Sequence, residues 1–269
     1  MTGVVVTESF SMKYASFGTG KKKLVILPGL SLRPVSPIVF AIEQAYKVFT
    51  EDYTVYLMDR RDHAPEDYKS TDMARDTHTA LLKLGINKAY FLGASQGGAI
   101  VMELALMYPE MVQGMAIGSS AAYVNKMSSK ILDTWMDFAK KRDATNLASK
   151  MVGVVYSKNM QQANKTNYIN TFSDLKEDEF TQFLNLCSGF RTYDIRQKLH
   201  EIKCPTLVIG CEGDEVFGAE ASREIYDGIS SGNGKCELYI YNDEYGHAVY
   251  DEAPDYKDRI YNFFEKVDK

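Results

Sequence analysis

One stretch constrains this chain more than any other: residues 88–110, KAYFLGASQGGAIVMELALMYPE. An apolar, strand-like run, KAYFLG, stops at a glycine. A helix-like run, GGAIVMELALMYPE, begins four residues later, carries Ile100, Leu104 and Met107 on one stripe and is stopped by Pro109. A strand that passes so abruptly into a helix needs a tight turn, and only small residues fit one. Gly93, Ala94, Gly97 and Gly98 supply them around a single hydroxyl, Ser95, with Gln96 beside it. The spacing is G-x-S-x-G, a weak signal as a string and a stronger one in this strand–turn–helix context. In that context the hydroxyl projects above the C-terminal edge of a sheet. A helix N-terminus lies beneath it, and the Gln96 N–H is free to face a developing negative charge.

The flanking sequence repeats the same alternation. KLVILP (23–28), YTVYLMD (53–59) and VQGMAIGS (112–119) read as strands. STDMARDTHTALLKLG (70–85) reads as a helix with Met73, Thr77, Ala80, Leu81 and Leu84 on one face, Ser70 as its cap and Gly85 as its end. Strand–helix alternation implies parallel strands with helical crossovers, hence an α/β sheet covered on both faces. The opening VVVTESFSMKYASFG (4–18) has no helix between its strands and predicts antiparallel pairing at one edge. From Tyr123 to about Lys203 the strands vanish, and helical stretches such as 128–143 and 178–190 replace them. The alternation then resumes with CPTLVIGCEGDE (204–215), AEASREIYDGI (219–229) and KCELYIYND (235–243). A closing helix over 253–267 places Pro254 near its first turn, with Tyr256, Ile260, Phe263, Phe264 and Val267 on one stripe. The expected organisation is therefore a core of residues 1–122 and 204–269, interrupted by a helical insertion over 123–203.

Composition narrows the role. The chain has 269 residues, 45% hydrophobic and 25% charged, enough for a sizeable core. Its net charge of −5 argues against nucleic acid as a partner. No apolar run is long enough to span a bilayer, and the N-terminus lacks the basic and apolar regions of a signal peptide. The expectation is a cytoplasmic protein without a membrane partner. Cys187, Cys204, Cys211 and Cys236 show no C-x-x-C pairing and read as reduced thiols. No cluster of Cys and His suggests a metal, and no cofactor is expected.

A hydroxyl is a poor nucleophile near neutral pH and requires a base and an orienting acid. His247 follows the last strand, which puts it at the same sheet edge as Ser95. His78 lies within a helix, His200 lies among charges, and His63 follows a strand and could border the site. For the acid, Asp214 stands after the strand PTLVIG, with Glu212, Glu215 and Asp243 nearby. The second backbone donor to an oxyanion should come from Pro28-Gly29-Leu30, with Leu30 donating and Gly29 allowing close approach.

Taken in order, LPGL, LMDRRDH, GASQGG, LVIGCEGD and YGHAVYDEAPDY resemble the α/β-hydrolase family along nearly the whole chain. The resemblance implies a mostly parallel, eight-stranded sheet with an antiparallel second strand. It also implies a Ser95–His247–Asp214 triad, an oxyanion hole from Leu30 and Gln96, and a helical cap after the sixth strand. A serine at the turn separates the chain from the branches that use aspartate there. The chain departs from the pattern at Pro28-Gly29, where His-Gly is frequent, and at Asp62 and Ala64, where glycines are common. The expected activity is a serine hydrolase of the carboxylesterase type, with a small or medium apolar acyl ester as substrate. Lactonase, thioesterase, C–C hydrolase, perhydrolase or lyase chemistry, and a non-catalytic binding role, are the alternatives on the same plan. Tyr123 and Trp135 are the insertion residues expected at the substrate, and a homodimer is the expected oligomer.

Overall fold

A computed structural model of the chain describes residues 1–268. Eight strands form one sheet: β1 (Thr2–Val6), β2 (Ser11–Phe17), β3 (Lys22–Leu27), β4 (Tyr53–Arg61), β5 (Ala89–Ala94), β6 (Val112–Gly118), β7 (Thr206–Cys211) and β8 (Cys236–Tyr241). Their spatial order is β1-β2-β4-β3-β5-β6-β7-β8. β2 runs antiparallel to both β1 and β4, and every other pairing is parallel. The family's sheet is therefore present, with β2 as its reversed strand.

The central strands are buried along nearly their whole length because helices cover both faces. The period of two still shows in which face each side chain serves. Val25, Leu27, Phe91, Met115 and Ile117 pack on one side, while Leu24, Ile26, Leu92 and Ala116 pack on the other. The crossover helices are α1 (Val39–Ala45), α2 (Ser70–Lys83), α3 (Gln96–Met107) and, beyond the insertion, α8 (Ala219–Ser230). A one-turn α9 (Val249–Glu252) precedes the closing α10 (Tyr256–Val267), whose Tyr256, Ile260 and Phe264 fill the second face.

Two helix ends differ from the sequence reading. Ser70 is the first helical residue of α2 rather than its cap. Lys69 occupies the cap position, and the Ser70 hydroxyl is buried without a partner. Pro254 lies two residues before α10, outside its first turn, because the chain is still leaving α9 there. Gly85 does end α2, at φ +74, with its N–H donating to Leu82 and that of Ile86 to Leu81.

Four helices stand between β6 and β7: α4 (Lys126–Lys140), α5 (Ala144–Val155), α6 (Lys158–Phe172) and α7 (Glu177–Phe190). Asn125, Asp143 and Ser157 cap the first three through side-chain oxygens. An antiparallel bridge between Tyr123 and Asp194 closes the neck of this segment. It is tied to the sheet by Arg33, which donates to Glu179, Asp174 and the Thr171 carbonyl. Gln182 and Asn185 hold the loop after β4 through Ala64 and Arg61. The loop that departs from the family's glycine pattern is thus clamped by α7, with Ala64 buried and Asp62 paired to Lys13.

Candidate active site

Ser95 sits between the end of β5 and the start of α3 at φ 53, ψ −124, a conformation that costs a non-glycine residue about 1–3 kcal/mol. The surroundings enforce it. The Ser95 N–H donates to Gly118 at 2.9 Å, and the Ser120 hydroxyl donates to the Ser95 carbonyl at 2.8 Å. A Cβ on Gly97 would lie 2.0 Å from the Leu27 carbonyl oxygen, so α3 can start this close to β3 only with glycine there.

The loop after β7 presents Asp214, and the loop after β8 presents His247. His247 Nδ1 lies 3.0 and 2.9 Å from the two Asp214 oxygens, and both residues are buried. Asp214 also accepts the amides of Val216 at 2.7 Å and Phe217 at 3.1 Å. Burial alone would raise the Asp214 pKa. The His247 charge and hydrogen bond, with the two amides, outweigh it and hold the carboxyl below its ordinary value. An ionised Asp214 keeps the proton on Nδ1 and leaves Nε2 as the basic nitrogen. The Phe217 ring packs on the imidazole edge-to-face at 5.5 Å and also lines the pocket at Ser95.

Neither the Leu30 nor the Gln96 amide donates to a backbone acceptor in the loops and turns of the described residues. Both residues border Ser95 in a pocket of about 20 Å³, closed over by Leu132, Trp135, Phe190 and Phe217. That is room for about one water. Gly29 stands against the serine, since a Cβ there would come within 3.1 Å of Ser95 Cβ. The Gln96 side chain points away from the serine and donates to the Leu186 carbonyl in α7 at 3.2 Å.

The structure brings Ser95, Leu30, Gln96 and Trp135 to one pocket and joins His247 to Asp214. It does not bring Tyr123 there. The Tyr123 ring is covered by the Arg196 guanidinium at 3.9 Å, and its backbone is taken by the bridge to Asp194, so it serves the neck of the insertion. The other histidines stand elsewhere: His78 stacks on Tyr108 at 3.7 Å, while His200 and His63 are exposed. Sequence reasoning missed Phe217. The only available signal was its place three residues after a candidate acid.

A mostly parallel sheet with a positive-φ serine on its central crossover defines a class of α/β proteins built to present one side chain at the sheet edge. The chain belongs to the alpha/beta hydrolase fold family, whose model matches residues 23–254. It is 26% identical over 187 residues to 3-oxoadipate enol-lactonase 1 of Acinetobacter baylyi, covering 67% of this chain and 66% of that one. A stretch of 77 residues is 40% identical to a Cronobacter turicensis protein whose name carries a provisional carbamate hydrolase assignment. It spans 29% of this chain and 28% of that relative's length. Among solved structures, the chain superposes with a TM-score of 0.86 on MGS-M2, an alpha/beta hydrolase enzyme from a Medee basin deep-sea metagenome library. The two are 21% identical, over 98% of this chain and 97% of that one.

Proposed function

We propose that the protein is a serine hydrolase of the carboxylic-ester type that works through an acyl-enzyme. The observation that carries this reading is the buried Asp214–His247 pair at the sheet edge that presents Ser95 in a strained turn. Ser95 Oγ attacks the substrate carbonyl while His247 Nε2 accepts its proton. Asp214 steadies the imidazolium, and the Leu30 and Gln96 amides receive the oxyanion. The imidazolium returns the proton to the leaving alkoxide. A water activated by His247 then hydrolyses the acyl-enzyme, and the serine is regenerated. The lining of Trp135, Ile131, Leu132, Phe190 and Phe217 favours a small apolar acyl group.

The same steps would open a cyclic ester. A lactone is the second reading, favoured by the match to an enol-lactonase over two thirds of the chain. Labelling of Ser95 by a fluorophosphonate, lost in Ser95→Ala, tests the nucleophile. A chain-length series of p-nitrophenyl esters tests the substrate class, with a maximum at short acyl chains expected. Folded protein that neither reacts with the fluorophosphonate nor turns over any ester or lactone in the series would overturn the reading.

A further inference from the structure

A second cavity of about 300 Å³ lies beside the turn, between the sheet edge and α7. Its walls include Leu32, Arg33, Asp59, Arg60, Gln182 and Leu186. It is separated from the pocket at Ser95 by the Gln96 side chain, which spans from Leu186 in the insertion to Arg60 in the core. The pocket at Ser95 holds about 20 Å³. A substrate larger than a short acyl group must therefore displace the lining or extend past Gln96 into this neighbouring space.

Arg60 is the unusual group in that space. One of its Nη atoms donates to the Pro28 carbonyl at 2.7 Å and, at 3.4 Å, to Gln96 Oε1. Its Nε is sealed from solvent with no partner, and its Nη1 has no acceptor. Every other arginine among the described residues forms a salt bridge. Burial lowers the Arg60 pKa to about 10, which leaves it charged at neutral pH. Asp59 lies close enough for its charge to act on Arg60, yet no carboxylate around the cavity forms a salt bridge with the guanidinium. Asp62 pairs with Lys13, Glu179 pairs with Arg33, and Asp59 accepts the amides of Val35 and Ser36. Asp178 is exposed at the rim. Arg60 is half-buried, and a guanidinium with no ion pair and an unused Nη1 gains from an anion that accepts a charge-assisted hydrogen bond there.

We propose that this cavity is a subsite for a carboxylate-class anion carried by the substrate, and that Arg60 is the residue that recognises it. The inference rests on the reading of Ser95 as nucleophile. It refines the substrate to an ester or lactone with an apolar reacting end and an acidic far end. Because Arg60 also holds the Pro28 carbonyl, just ahead of Gly29 and Leu30, an anion drawn to it would bind next to the loop that supplies an oxyanion donor.

The test compares kcat/KM for monomethyl glutarate with that for methyl valerate, in the native enzyme and in Arg60→Met and Arg60→Lys. The native enzyme is expected to prefer the anionic ester. Arg60→Met should reduce that preference by about tenfold or more, chiefly through KM, and Arg60→Lys should retain part of it. No preference in the native enzyme, or the same preference in Arg60→Met, would overturn the subsite and leave Arg60 as a prop for the Pro28 loop. A second measurement needs no variant. Glutarate should bind the native protein at least about tenfold more tightly than glutaramide by calorimetry, and equal binding would overturn the proposal. Fluorophosphonate labelling of the same sample separates the two readings. Labelled Ser95 without anion selectivity defeats the subsite alone, whereas unlabelled Ser95 defeats the hydrolase reading and leaves glutarate binding to decide the subsite.

Discussion

The helices α3 and α6 are close in length and opposite in character. In α3 every residue from Gln96 to Ala105 is buried, and the helix is wedged between the sheet and α2. In α6 no residue is fully buried; Tyr168, Ile169 and Phe172 reach the core only partly, and the helix packs mainly on α5. The first helix cannot shift without opening the core, which suits a residue that must hold its neighbour Ser95 in a strained conformation. The second is held by half-buried contacts, by α5, and by the polar ties of Arg33 to its C-terminal end. Burial on the core side thus fixes the candidate nucleophile, and α4 and the end of α7 bring buried Leu132, Trp135 and Phe190 to its pocket, while α6, which does not line that pocket, is the looser element.

That contrast can be broken most sharply at Ser95. Ser95→Ala is expected to reduce kcat on an activated ester on the order of 10⁵-fold or more while leaving the melting temperature unchanged. Retained turnover would show that the core side does not hold the nucleophile. Next, Asp214→Asn should cost about 10⁴-fold in kcat, because the amide no longer fixes the imidazole tautomer.

Asp214 also carries a pH signature. Its folded-state pKa is depressed, so the stability it contributes is present above its unfolded value of about 3.9 and is lost as pH falls through the lower folded value. The melting-temperature gap between the native protein and Asp214→Asn should therefore stay level above about pH 4 and close on further acidification. A gap that widens with acid would contradict the sign of the shift.

Gly97→Ala sharpens the same contrast through stability rather than rate. The added methyl would meet backbone at 2.0 Å, and a cost of about 3 kcal/mol is expected in denaturant unfolding. An alanine tolerated without loss would mean that α3 can slide. The smallest effect is expected on the other side. Arg33→Ala should leave global unfolding near native while speeding amide exchange in α6 and the start of α7. Unchanged exchange there would show that the insertion is held by its apolar contacts alone.

Much of the core was legible because burial leaves a periodic trace. The apolar runs of β3, β4 and β5, the apolar stripe of α2 and the small residues around Ser95 each obey a local rule that a one-dimensional reading can test. Asp214 and His247 were legible as candidates because they follow the last two strands, and parallel strands deliver such loops to one edge. Their neighbours were harder. The amides of Val216 and Phe217 that steady Asp214 leave no trace in residue type, and Phe217 reaches both His247 and the pocket only because its loop folds back. Tyr123 is expected at the substrate, yet the Arg196 side chain claims its face.

The sequence by itself determined the order of the strands, the helices that carry a clear apolar stripe and the tight turn that holds Ser95. Each follows from interactions between residues near in the chain. The tertiary structure alone decided that the pocket at Ser95 is small. It also decided that Gln96 turns its amide one way and its side chain the other, and that Arg60 stands without a salt bridge beside a larger cavity. Those features depend on which distant side chains arrive at the same place, and no local pattern records an arrival or a missing partner.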